Sequence, residues 1–291
     1  MKDTTGDKWF YAVNYVLLSL IGLTCLFPLV HVAALSLSDS GAIMSGLVTI
    51  WPRGWTLDAY EMLFKGTNVI GAFGNSLLIT LVGVALSMLL TMLAAYPLSR
   101  RYFYARRAFT LLMVFTMLFG AGIIPTYLVV KGLGLINTYF AIWLPALVST
   151  YNMLVMKSFF ENLPEELQEA ARIDGCGELR LLARIMLPLS LPMIATLSLF
   201  YGVYYWNAFM NVLIYINDTD KYNLSVLVQQ MIRSQQITQE MVSFQPEEAA
   251  RMTPEAIKSA GVVVMIVPML LVYPFLQKYF VKGVLIGSVK G

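Results

Sequence analysis

Six stretches of 19 or more residues in this chain contain no Asp, Glu, Lys or Arg: residues 9–38, 66–99, 108–130, 132–156, 185–217 and 259–277. About 20 apolar residues in helical form cross a bilayer. Lipid offers no partner to unpaired backbone groups, so a run of this kind must fold as a helix to span one. The pattern predicts an all-α integral membrane protein with six transmembrane helices. Composition agrees: 58% of the residues are hydrophobic and 13% charged, where an ordinary soluble domain has about a quarter charged.

The short loops give an expected orientation. Segment 99–107 holds Arg100, Arg101, Arg106 and Arg107 with no acid, and Lys and Arg accumulate in cytoplasmic loops. Counting outward, both termini and the 161–188 segment are expected in the cytoplasm of a cell-membrane protein, with residues 39–70 and 217–258 outside. Lys278, Lys282 and Lys290 near the C-terminus agree. The net charge of +3 is therefore topological, with no basic patch interleaved with aromatics for nucleic acid. Residues 1–8 are of mixed charge. The apolar run after them exceeds the roughly 7–15 residues of a signal-peptide core, so an uncleaved first helix is expected. Cys25 and Cys176 lie in a span and in a loop, with no metal-ligand spacing. His31 reads as a packed or interfacial residue.

The third run contains Gly120, Gly122 and Pro125, which predicts a kink or irregular backbone. The fourth reads as one helix over about 138–159. Three parts follow: an N-terminal helix with its external connection (1–70), a membrane core (71–281) and a tail (282–291).

Between the fourth and fifth runs lies a charged island, Glu169–Pro188, EAARIDGCGELRLLARIMLP. Asn162, Pro164, Glu165 and Glu166 form a helix-start signal of capping side chain, early proline and acids at the positive dipole end. Leu167, Ala170, Ala171 and Asp174 share a face at helical spacing. Gly175-Cys176-Gly177 should break the helix. A second amphipathic piece, with Leu179, Leu182, Ala183 and Met186 on one side, runs into Pro188 and the fifth span. Small Ala170 and Ala171 suit entry into a groove, Glu169 and Asp174 suit charge-assisted contacts, and Gly175 suits a sharp exit that a side chain could block.

Glu169, Ala170, Ala171, Gly175, Ile185, Leu187 and Pro188 fit, without a departure, the signature of a known family. The chain resembles the permease subunits of binding-protein-dependent ABC importers, of the carbohydrate type related to the smaller permease of the maltose system. The resemblance covers nearly the whole chain. It implies a type I importer permease fold and a coupling helix docked in a cytoplasmic ATPase. It also implies a second, similar but distinct permease, two ATPase subunits and an external binding protein. Residues Leu118–Asn137 and the closing VKGVLIGSVKG resemble the branch that imports oligosaccharides from complex polysaccharides, alginate- and pectin-derived uronides among them. The tail would reach the ATPase, and the 217–258 segment would dock the binding protein or lie in the headgroup layer.

No phosphate-binding G-x-x-x-x-G-K-[S/T] loop occurs, so ATP and Mg belong on the partner ATPase and this chain is a transport subunit rather than an enzyme. Aromatic rings stack on sugar faces and Asn pairs with hydroxyls, which makes Tyr201, Tyr204, Trp206, Asn207 and Asn211 candidate pathway residues, with Asn75, Ser76 and Asn152 behind them. In most membrane proteins such aromatics serve the interfacial belt or helix packing. Two rivals stay open. One is an ion-coupled secondary sugar carrier, disfavoured by the absence of charged groups in the spans. The other is an ABC permease for a non-sugar solute.

Overall fold

The computed structural model describes residues 5–242 and 254–288, as helices and their connections, with no strand among the described residues. Residues 243–253 of the expected outer segment and 289–291 of the expected tail lie outside the described residues, as do the side chains of Lys278, Lys282 and Lys290. Three helices are each long and apolar enough to cross a membrane: α1 (Thr5–Ser36), α4 (Val69–Ser99) and the Glu255–Pro274 stretch of α15 (Pro254–Ser288). Three more candidates are bent pairs: α5 (Arg106–Leu118) with α6 (Ile123–Gly132), α7 (Phe140–Trp143) with α8 (Thr150–Glu161), and Glu178–Leu189 with α12 (Leu191–Trp206). Counting each pair as one span gives the six that hydropathy predicts.

The bends differ in how well the sequence announces them. The α5–α6 break is a 113° turn at Gly120–Gly122, where Gly122 takes φ +82°, a region L side chains rarely adopt. The expected kink is thus a bend past a right angle. The 51° break between α7 and α8 corrects the continuous fourth helix. A 3₁₀ turn, Leu144–Ala146 with Pro145, ends α7, and Ser149 restarts the chain as the cap of α8.

The chain forms two compact units, one of residues up to 70 with 227–267, the other of 71–226 with 268 onward. In the first, Asp39 caps the short α2 (Ser40–Met44) by accepting from Gly41 N–H at 2.9 Å. Gly54 is required there twice over: φ is +64°, and a Cβ would sit 2.8 Å from the Asp39 Cβ. Leu63 of α3 (Asp58–Gly66) is fully buried. Gly261 of α15 comes close to Leu63 and to Val228 of α14 (Leu224–Val242). His31 donates from Nδ1 to the Thr49 carbonyl at 2.6 Å, in keeping with a packed residue. The edge-to-face pair Trp51–Trp55 is exposed, as an interfacial belt would have it.

In the second unit α4 and α12 pack through small and hydroxyl groups, the usual means of close approach between membrane helices. A Cβ on Gly83 would lie 2.7 Å from the Tyr205 ring. The Tyr205 hydroxyl pairs with Ser87 Oγ at 2.8 Å and that of Tyr201 with Thr91 Oγ1 at 2.7 Å. Trp143 donates to the Ile79 carbonyl at 3.0 Å. Ile142, Met153, Met156 and Leu197 complete a dry core.

Candidate functional site

The segment after α8 folds as the short helix α9 (Glu165–Ile173). Asn162 does not cap it, contrary to the sequence reading. That residue ends α8, and its side chain donates back to the Ser158 carbonyl at 2.8 Å. Pro164 stands at the start of α9 instead, and Glu165 and Glu166 complement its dipole. At the far end Cys176 N–H bonds Ala171 O at 2.9 Å and Gly175 N–H bonds Arg172 O at 3.0 Å. These are the two bonds of a Schellman stop. Gly175 has φ +74°, with nothing within 4 Å of a Cβ built on it. Glycine is needed for the backbone angle, and not for the space a side chain would block.

The face predicted for α9 is divided. Ala171 is buried together with Gln168, while Leu167, Ala170 and Asp174 are exposed with Glu169. The outward surface is strongly apolar at three points: Leu167, Ile173 (86% exposed) and Leu179 (78% exposed).

The inward surface is pinned to the end of α4. Arg100 is buried, donates to the Gln168 side-chain oxygen and lies over the Tyr96 ring at 4.4 Å. The hydroxyls of Tyr96 and Tyr102 donate to Glu178 Oε2 at 2.5 and 3.0 Å. Arg172 pairs with Glu178 Oε1 at 3.1 Å and lies over the Tyr102 ring. Partial burial opposes ionisation of Glu178, but the two hydroxyls and Arg172 outweigh it and hold its pKa below the ordinary carboxylate range. Burial and the same carboxylate push the Tyr102 phenol up. A polar cavity of about 490 Å³ opens beside this cluster, lined by Arg100, Arg101, Arg106, Glu165, Glu169 and Arg172. In the sequence these arginines read only as topological charge. The usable signal was Gln168, a polar residue three positions before Ala171 on the same face.

Beyond Gly177 the chain continues as α10 (Glu178–Leu181), a π-helical turn (Leu182–Met186) and α11 (Leu187–Leu189). The second predicted face, Leu179-Leu182-Ala183-Met186, is half right: Leu182 and Met186 are buried, Leu179 and Ala183 exposed. The π turn adds a residue to its turn and rotates the buried set to Leu181, Leu182 and Met186, with Ile185 and Leu187 packed against the core. The joint to α12 is an 83° bend at Ser190. This side chain is buried and donates to the Met186 carbonyl at 2.7 Å. Pro188, named as the joint from the sequence, lies two residues earlier and is exposed.

The predicted pathway residues separate. Tyr201 is buried, and its hydroxyl accepts from Ser149 N–H at 2.9 Å. Trp206 is buried edge-on against Phe73. Asn207 donates to Val203 O within its own chain turn at 2.9 Å. Asn211, on α13 (Phe209–Tyr215), donates to the half-exposed Tyr204 hydroxyl at 3.0 Å. Of the lesser candidates, Asn75 is engaged by Asp220 O, Tyr222 O and the Tyr139 hydroxyl. Ser76 accepts from Leu224 N–H. Asn152 stands apart: it is buried and lines a crevice of about 420 Å³ at the α7–α8 break, with Tyr201 and Tyr204. Among the described residues no group of three or more His, Cys, Asp or Glu could hold a metal ion, and both Cys25 and Cys176 are free thiols.

The family model described as "Binding-protein-dependent transport system inner membrane component" matches residues 83–286. The polygalacturonan/rhamnogalacturonan transport system permease protein YtcP of Bacillus subtilis (strain 168) is 42% identical over 287 residues, covering 98% of this chain and 99% of the relative. Protein LplC of the same organism is 41% identical over 293 residues, covering 100% and 98%. Among solved structures, a chain of a bacterial ABC transporter involved in the import of the acidic polysaccharide alginate superposes with a TM-score of 0.86. It is 28% identical, and the match covers 96% of this chain and 99% of that one.

Proposed function

The chain belongs to the family of binding-protein-dependent transport system inner membrane components, and from that premise we propose that it forms half of an ATP-driven import pathway for acidic oligosaccharides. The observation that carries this reading is the two-sidedness of α9. Its outer surface offers Leu167, Ile173 and neighbouring Leu179 beside Glu169, an apolar knob with an acidic edge that fits a groove on a soluble partner. Its inner surface is tied to α4 through Arg100 and Glu178. A displacement of α9 by an ATPase closing on ATP and Mg therefore reaches the membrane by two routes, along the chain into α12 and across the polar cluster into α4.

The roles follow from these positions. Glu169, Ala170 and Asp174 face the ATPase, Ala171 and Gly175 fix the helix and its exit, and Ile185, Leu187 and Pro188 belong to the arm that carries the movement. By the arginine excess of 99–107, this side of the molecule and both termini would face the cytoplasm. The partners are a second permease, two ATPase subunits and an external binding protein. That binding protein would dock against the 217–258 segment, and the tail would reach the ATPase. The cargo class rests on two relatives, one named for polygalacturonan/rhamnogalacturonan transport and one involved in the import of the acidic polysaccharide alginate.

Reconstitution tests the reading. Proteoliposomes holding the chain, its co-purifying permease and ATPase should take up galacturonate oligomers only with ATP and a binding protein. Uptake by this chain alone under a sodium or proton gradient would overturn it in favour of a secondary carrier.

A further inference from the structure

The α7–α8 break lies in the middle of a membrane-crossing pair, where irregular backbone survives only if protein buries it or water reaches it. Protein does part of this, since the Tyr201 hydroxyl accepts from Ser149 N–H. The rest of the break opens on the 420 Å³ crevice, whose walls are Ser149, Tyr151, Asn152, Phe200, Tyr201 and Tyr204 with the turn before them. Asn152 is only 5% exposed. Its backbone N–H reaches Ser149 Oγ at 3.4 Å, but its carboxamide bonds no described residue. The described side-chain polar atoms that are sealed from solvent without a partner are Thr80 Oγ1 and Arg100 Nε, so the Asn152 amide is open to the crevice it lines. The rings of Tyr151 and Tyr204 stand half-exposed, and Tyr151 lies against Phe200 at 6.4 Å.

We infer that this crevice is a sugar subsite on this chain. The Asn152 amide pairs with ring hydroxyls, and Tyr151 and Tyr204 pack on the apolar faces of the same sugar unit. The inference rests on the importer reading and adds to it where and how the cargo is held. Aromatic walls with a few convergent polar atoms are the common makeup of small-molecule sites. No charged side chain lines the crevice. This half of the pathway therefore reads rings and hydroxyls, and the carboxylates of an acidic oligomer are met elsewhere. Tyr201 is a positioning residue, since its hydroxyl is already shared between Thr91 and the Ser149 backbone.

The test uses the complete importer in proteoliposomes, with Cys25→Ser and Cys176→Ser as background. A small hydrophilic thiol reagent should label Asn152→Cys and Tyr204→Cys, and trigalacturonide should protect both during turnover. Leu197→Cys, in the dry core, should stay unlabelled. In the unmodified background, Asn152→Leu and the surface change Tyr204→Leu should each lower ATP-dependent trigalacturonide uptake about three- to tenfold, the scale of one lost hydrogen bond or ring contact. ATPase activity stimulated by the binding protein should persist. No labelling at either position, or wild-type uptake in both leucine variants, overturns the subsite. Loss of ATP-driven uptake by the unmodified complex overturns the importer reading instead, so the two failures are distinguishable.

Discussion

The α9 cluster and the α7–α8 crevice both place polar groups close to apolar helices, and they treat those groups in opposite ways. At α9 the functional ends of Tyr96, Tyr102, Gln168, Arg172 and Glu178 each have a partner in the protein, and of the buried Arg100 only Nε lacks one. At the crevice the Asn152 amide has none, and two tyrosine rings face open space. A group that already has its partner can hold and transmit. An amide open to a crevice and without a partner there is suited to receive. On the functions proposed above, the contrast separates, within one chain, the part that is pushed from the part that meets cargo.

The largest expected effect comes from the outer surface of α9. Ile173→Asp should weaken capture of the ATPase by on the order of thirtyfold, a hot-spot loss of about 2 kcal/mol, with no change in melting of the isolated chain. Full co-purification of the ATPase with this variant would place the interface elsewhere. Next is Gly175→Val. Holding a β-branched residue in the left-handed region costs roughly 1–2 kcal/mol and breaks the Schellman stop. Melting should fall by a few degrees and uptake by more than melting explains. Unchanged melting would show that the loop relaxes to another exit.

Glu178→Gln sharpens the comparison, because it weakens the cluster and leaves the crevice alone. The Arg172–Glu178 pair is about half exposed, so solvent screening leaves it worth at most about 1 kcal/mol of stability. The expected signature is uncoupling: ATP hydrolysis continues while uptake per ATP falls about fivefold. Equal loss of both would mean that the cluster only maintains the fold. The smallest effect is on pH dependence. The pKa of Glu178 is depressed, so its contribution is complete above the ordinary carboxylate range and is lost as pH falls through the depressed value. Melting of the wild-type complex minus that of Glu178→Gln should be flat from pH 8 to about 5 and shrink only below the usual carboxylate pKa. A change in that difference near neutrality would implicate another group.

The same two regions show what a sequence displays and what it hides. The spans were legible because charge is absent over whole helices. The exit of α9 was legible because a single glycine must take φ +74°. The partnership of Arg100 with Gln168 was not, since it joins residues 68 apart and neither residue is unusual in its own loop. The π turn at Leu182–Met186 was hidden because one extra residue per turn leaves composition untouched while it rotates the face. The α7–α8 break carries only Pro145 as a local sign, and proline early in a helix more often starts one than ends it. Asn152 ranked below Asn207 and Asn211 because small polar residues often only join helices. What reverses the order is which amides the fold has already satisfied.

The bend at Ser190 has a mechanical consequence. Glu178–Leu189 and Leu191–Trp206 meet at 83°, and helical rise gives arms of roughly 18 and 24 Å. Two rigid arms at nearly a right angle about a short joint make a bell crank. A tug along the surface arm turns into a sideways swing of the buried one, and the ratio of arm lengths enlarges the travel at its far tip by about a third. Tyr201 and Tyr204 ride near that tip, so a small stroke at the membrane surface would widen or narrow the crevice most at the proposed subsite.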